Sequence, residues 1–176
     1  MSPRSEISLS SEELQALTAF SVLCAAKVLP LFERDMPEDT RPRAAIEAAS
    51  AFVSHGKRSN DLRMKGLAAY KASRQAKTPV AIQAAESATQ AVGAAYLHPI
   101  FDARQVKHIL GAAAHGAYAL ELDAGDISAS NTFQSWVLQN TPTIVTTVLK
   151  RYPPAPGGGG RAGALLRTFD AALRTH

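Results

Sequence analysis

The chain has one cysteine, Cys24, so no intramolecular disulfide can form. Its place in the apolar run of residues 20–29 marks it as a reduced, buried thiol. There is no CxxC, no HExxH and no repeated ExxH pair, which removes the usual zinc and di-iron scaffolds. A GxSxG elbow is absent as well, and Cys24 carries no local nucleophile signature. The glycines at 157–160 are followed by Arg161 and Ala162, where a P-loop needs Lys and then Ser or Thr. Aromatic residues make up only 6% of the chain, too few to interleave with the cations as single-strand binders do, so no specific nucleic-acid binding is expected. By eye, no apolar stretch approaches the roughly 20 residues of a membrane span, and the opening "MSPRSEISLSSEELQ" has no signal-type apolar region. The expectation is a cytoplasmic protein with no cofactor, no metal and no membrane partner.

What is present is charge in blocks. Residues 1–40 hold 3 basic and 7 acidic side chains, 41–77 hold 9 and 2, 78–149 hold 2 and 5, and 150–176 hold 5 and 1. The basic second block is either a footprint for nucleic acid, at most through non-specific phosphate contact, or for an acidic partner, or a solvated face answered by the acidic blocks of the same chain. The carboxylates Glu33, Asp35, Glu38 and Asp39 in "FERDMPED" could gather Mg²⁺, but arginines follow directly and are the cheaper partners.

Helical signals run through the sequence. Ser10 with Glu13 fits a capping box for a first helix that should kink or break near Lys27, ahead of Pro30, and end at Pro37. A second helix is predicted over residues 42–54, stopping near Gly56. A third, over 59–76, has a thin buried strip of Leu62, Gly66, Ala69, Tyr70 and Ser73, which places it at an edge. Thr78 and Pro79 open a fourth helix, and its alanines with Gly93 imply close helix approach. A fifth is predicted over 100–122. The β-branched residues 143–148 have no partner strand, so 131–152 reads as a helix pair broken at Pro142. "PPAPGGGG" at 153–160 reads as a flexible linker, and 161–176 as an amphipathic helix carrying Leu165, Leu166, Phe169 and Leu173.

The expected fold is all-α: a bundle or a short solenoid-like stack of antiparallel hairpins, with about six or seven helices. Residues 1–152 form the domain, 153–160 the linker and 161–176 a terminal helix that docks on its own bundle or on another copy.

"DMPEDTRPRAAIEAAS" poses a local puzzle. Proline restricts the residue before it, so Arg41 should be extended at the N-cap, Pro42 the first helical residue and Arg43 in the first turn. The helix dipole disfavours both cations there by roughly 0.3–1 kcal/mol each. Glu38, Asp39 and Glu47 are within reach to offset this. Either the arginines pin the turn to neighbouring helices, or their planar donors face a partner.

"VLPLFERDMPEDTRPRAAIEAASAF" resembles the opening of the Imm-5-like immunity proteins: a Leu-Pro-x-Phe-Glu stretch, an acidic turn, Arg-Pro-Arg and an alanine-rich helix with Glu. "GAAYLHPI", "AAAHGAYALEL" and "FQSWVLQNTP" are similar to the family's later helices, so the resemblance covers residues 28–149. Val53 stands where a tryptophan is expected, and "HGKRSND" is a looser spacer than usual. The resemblance implies an all-α, cytoplasmic, non-enzymatic protein that binds and neutralises a cognate bacterial toxin. It singles out Asp39, Arg41, Pro42, Arg43, Glu47, His98, His115 and Trp136 as motif or partner-binding positions. Two other readings stay open: a helical scaffold that forms a homo-oligomer by exchanging its terminal helix, and a small-molecule-binding bundle with His98, His108 and His115 lining one pocket.

Overall fold

The computed structural model describes residues 5–175, so His176 lies outside the described residues. Eight α-helices account for most of them: α1 (Ser11–Asp35), α2 (Arg41–His55), α3 (Asn60–Gln75), α4 (Pro79–Ala94), α5 (Val106–Ala124), α6 (Ser128–Asn140), α7 (Thr143–Leu149) and α8 (Gly160–Arg174). This exceeds the expected total of about six or seven, while the expected break at Pro142 separates α6 from the short α7. No strand occurs among the described residues; Glu6 and Ile100 form an isolated antiparallel bridge.

Three helices make the centre. α1, α4 and α5 pack on one another; α2 and α3 cover one flank and α6, α7 and α8 the other. The packing is bundle-like, since α1 alone meets α2, α4, α5 and α7.

α1 corrects two expectations. The expected alternative of a break near Lys27 does not occur: Ser11–Asp35 is one helix, with Pro30 on its exposed side while Val28, Leu29 and Phe32 are buried around it and hold both halves to the core. It is also long and apolar enough to cross a membrane, with a mean hydropathy of 1.6 in its most apolar window. The eye misses this because polar residues interrupt the run. Here α1 is a core helix with ten buried residues, from Leu14 to Phe32. Cys24 is among them, and burial pushes its thiol up.

Close approach explains much of the alanine content. At the α3–α4 crossing, a Cβ on Gly66 would stand 2.7 Å from Val92 Cγ1, so only glycine lets the two helices lie this near. α3 follows the expected edge position with one exception: Tyr70 is exposed, and Ala72 takes its place in the buried strip. The ring is too large for a seam spaced for alanine and glycine.

α5 begins at Val106 rather than at Ile100. Asp102 caps a 3₁₀ turn at Ala103–Gln105, accepting from the Arg104 N–H at 2.9 Å. The preceding residues are occupied by the N-terminal segment, with Ile7 N–H donating to Pro99 O and Phe101 N–H to Ser5 O, each at 2.9 Å.

Residues 153–159 have no regular structure but are tied to α8, which starts at Gly160, one residue earlier than expected. Ala155 N–H donates to Asp170 Oδ2 at 2.9 Å, Arg167 Nη1 to Gly158 O at 2.7 Å and Arg174 Nη1 to Tyr152 O at 3.0 Å. Gly158, Gly159 and Gly160 turn the chain with φ of 88°, 78° and 59°, a run that glycine alone accepts without strain. α8 then lies on α5, placing Leu165, Phe169 and Leu173 in the main hydrophobic core. Each of these buried side chains contributes roughly 1.5–3 kcal/mol.

Candidate partner-binding site

The α1–α2 turn and the start of α2 carry five of the eight sequence-selected positions, and both arginines there are paired within the chain. α2 starts at Arg41, one residue earlier than expected, with Thr40 as an N-cap that makes no side-chain bond. Asp39 substitutes for the missing cap: its Oδ1 accepts from the Arg41 N–H at 3.1 Å. The same carboxylate takes the Arg41 guanidinium through Nε at 2.9 Å and Nη2 at 2.6 Å. Nη2 also reaches Gln75 Oε1 at the end of α3, at 2.9 Å. The guanidinium holds the Asp39 carboxyl below the usual carboxylate range.

Arg43 turns the other way. Its Nε and Nη2 hold both oxygens of Glu33 on α1, at 2.5 and 2.8 Å. Glu33 is therefore the partner, whereas Glu47 is exposed and only adds a weak favourable field, and Glu38 makes no ion pair among the described residues. Pro42 is buried in the first turn of α2. A third arginine completes the junction: Arg34 reaches Asp35 and, on α5, Asp123, each at 2.7 Å, while Asp35 Oδ2 accepts from Thr78 Oγ1 at 2.5 Å. Three of the four carboxylates in "FERDMPED" thus have a cationic partner. No group of His, Cys, Asp and Glu able to hold a metal forms among the described residues.

The histidines do not converge. His98 is exposed, and its backbone does the bonding: its N–H donates to Gln105 Oε1 at 3.0 Å and its carbonyl accepts from Tyr152 Oη at 2.9 Å. His98 and His108 share a shallow hollow with Arg104 and Lys107. His108 Nδ1 is buried against Gly93 with no hydrogen-bond partner, and burial pulls its pKa down to about 4. His115 lines a different cavity of about 280 Å³ under the glycine turn and α8. Its Nδ1 pairs with Gln83 Oε1 at 2.7 Å, and burial lowers its pKa.

Trp136, on α6, stands apart from both groups. It stacks on Phe133 with ring centroids 5.4 Å apart, and Lys27 Nζ lies 4.7 Å over its ring. The selected residues therefore fall into three separate places: the α1–α2 turn, the neighbourhood of α5, and the outer side of α6. The sequence placed Glu33 among the carboxylates that the following arginines could pair, but gave no sign of Gln75 or Gln83, because each of these meets its partner from another helix.

Fold and site together define an all-helical bundle whose conspicuous arginines are engaged in contacts between helices. The chain belongs to the Imm-5 like putative immunity protein family, whose family model matches residues 8–144. The match begins before the stretch that carried the resemblance and ends inside α7, so α8 lies beyond it. No curated protein and no solved structure matches the chain.

Proposed function

We propose that the protein binds a cognate toxin protein and neutralises it stoichiometrically, by covering a surface of the toxin rather than by turnover. The observation that carries this reading is the family match across residues 8–144, which spans the whole central bundle. The geometry is compatible with it: His115 lies in a different cavity from His98 and His108, and the "RPR" arginines are paired within the chain. In this proposal the protein acts in the cytoplasm, where the lone buried Cys24 stays reduced.

The test is reconstitution. The partner is co-purified from native cells, produced separately, and its toxic activity titrated with this protein. The expected result is complete inhibition at a one-to-one ratio. Absence of inhibition, or inactivation by far less than one equivalent, would overturn the reading.

A further inference from the structure

From Ile127 to Leu149 no charged side chain occurs, although charged residues make up 19% of the chain. This stretch is α6 and α7, and much of it faces outward: Ser128, Asn131, Thr132, Ser135, Gln139 and Asn140 are exposed. Depletion of charge around an accessible tryptophan is the compositional mark of the centre of a protein–protein interface. The α2–α3 flank, with its exposed Lys57, Lys71 and Arg74, has the opposite character.

Within the uncharged face there is a cleft of about 470 Å³ between α1, α5 and α6, lined by Lys27, Leu120, Ala129, Thr132, Phe133 and Trp136. Its aromatic wall is fixed in advance. Trp136 stacks on Phe133, and Phe133 meets Phe169 of α8 edge-on at 6.4 Å, so the tryptophan is braced from the core and loses little freedom when covered. One turn before Lys27, Leu23 is 42% exposed and widens the apolar rim.

The charges around the cleft are unequal. Arg34 and Asp123, at its α1–α5 edge, neutralise each other at 2.7 Å. Lys27 is exposed and has no ion pair among the described residues; its Nζ lies over the Trp136 ring. Covering this face would strip water from an uncompensated ammonium unless the partner brings a carboxylate. A second copy of the same face is a poor source, since residues 127–149 carry no acid and Asp123 on the neighbouring α5 is paired with Arg34.

We propose that this cleft is the surface that receives the toxin, and that the toxin inserts an apolar anchor side chain with a carboxylate beside it, from a contact area otherwise free of charge. The inference rests on the immunity reading and adds to it the face used and the chemistry of the partner. The anchor fills the space against Trp136, and the carboxylate meets Lys27.

The experiment uses the full chain and a catalytically silenced form of the toxin identified by reconstitution. A photo-crosslinking amino acid is placed at Thr132, inside the cleft, or at Lys71, exposed on α3. Affinity is measured in parallel for Lys27→Glu and for Trp136→Ala, with melting curves to verify the fold. The expected result is a toxin crosslink from position 132 and none from 71. Lys27→Glu, a change at an exposed position, should weaken binding roughly tenfold, and Trp136→Ala roughly 30-fold, the loss typical of a central aromatic anchor. A crosslink from 71 alone, a crosslink from 132 only to a second copy, or unchanged affinity in Lys27→Glu would overturn the inference while leaving the immunity reading in place. Wild-type protein that neither binds nor inhibits the toxin would overturn both.

Discussion

Arg151, in the turn after α7, holds both carboxylate oxygens of Glu13 in the first turn of α1, with Nη1 at 3.0 Å from Oε2 and Nη2 at 2.6 Å from Oε1. Glu13 is also the reciprocal half of the capping box, accepting from the Ser10 N–H at 2.8 Å. One side chain therefore starts the first helix and ties it to a segment 138 positions away. Glu13→Gln keeps an acceptor for Ser10 and loses the ion pair; Glu13→Ala loses both. The expected costs are about 0.5–1 kcal/mol and about 1–2 kcal/mol, read as shifts in the urea midpoint at unchanged slope. Because Arg151 holds the Glu13 carboxyl below its ordinary 4.5, its contribution is present above that pH and is lost as the pH falls through the folded value. In Glu13→Gln that part of the acid dependence should vanish.

Arg161 and Glu121 make a harsher test, because Glu121 is only 6% exposed and its carboxylate is covered by the α5–α8 seam. Removing the arginine leaves a nearly buried charge without its partner, so Arg161→Ala should cost roughly 2–3 kcal/mol, discounted because the guanidinium itself is 40% exposed. Glu121→Gln should cost less, since the charge left without its partner is then the Arg161 guanidinium, which is 40% exposed and stays hydrated. Loss of this lock should also loosen α8, so limited proteolysis within residues 153–160 should speed up in Arg161→Ala more than in Glu121→Gln.

The two "RPR" arginines separate by burial. The Arg41–Asp39 pair has side chains 35% and 13% exposed, and the Arg43–Glu33 pair 50% and 33%. Arg41 also joins α2 to Gln75 on α3, whereas Arg43 bonds to one carboxylate. Arg41→Ala should therefore lower the melting temperature more than Arg43→Ala, and the effect of Arg43→Ala should fade faster with added salt. A larger, salt-insensitive effect at Arg43 would contradict this ordering.

The sequence made the local layer legible and left the long-range one dark. Ser10, Thr78 and Pro142 marked helix ends because capping and proline geometry act over three or four residues, and the α6–α7 break fell where it was expected. Family membership was legible in the "RPRAAIEAA" stretch for the same reason, as a contiguous pattern. The partners Gln75 and Gln83 were not, since each is brought in by helix packing that no local rule encodes; Glu33 was legible as one of several carboxylates, but not as the one that Arg43 takes. Tyr70 was misplaced because periodicity identifies a face and not the width of the seam it meets. Trp136 could be selected, but its cleft required α1 and α5 to arrive beside α6.

Gly66 tests that seam directly. Glycine to alanine inside a helix ordinarily stabilises by about 1 kcal/mol. Here the added methyl would meet Val92 Cγ1 at 2.7 Å and Cβ at 3.2 Å, and a β-branched side chain cannot swing aside. Gly66→Ala should be net destabilising, by about 1–2 kcal/mol after the helix gain is counted. Adding Val92→Ala should recover part of the loss, so that the double variant is less destabilised than the two single changes predict together. Strict additivity in urea denaturation would mean the helices separate instead of clashing.

His108 sets the acid limit in a different way from the carboxylate pairs. Its Nδ1 is buried without a partner, the Lys107 and His98 charges oppose protonation, and its pKa is lowered from 6.5 to about 4. The unfolded chain therefore binds a proton in a range where the folded one does not. Stability from this source is complete above about pH 6.5 and declines as the pH falls toward 4, by up to roughly 3 kcal/mol. His115, also buried with a lowered pKa, adds a share in the same direction, opposed by the Glu86 carboxylate. The arginines beside Asp39 and Glu121 hold these carboxylates below their ordinary 3.8 and 4.5, so the stability they supply is intact through most of this window and begins to fall only at its acid end. Urea denaturation at pH 7, 5.5 and 4.5 should show the decline, and His108→Gln should flatten most of it without removing the part due to His115. An NMR titration that placed the His108 ring at pH 6 or above would show that Nδ1 finds a partner on protonation and that the acid limit lies elsewhere.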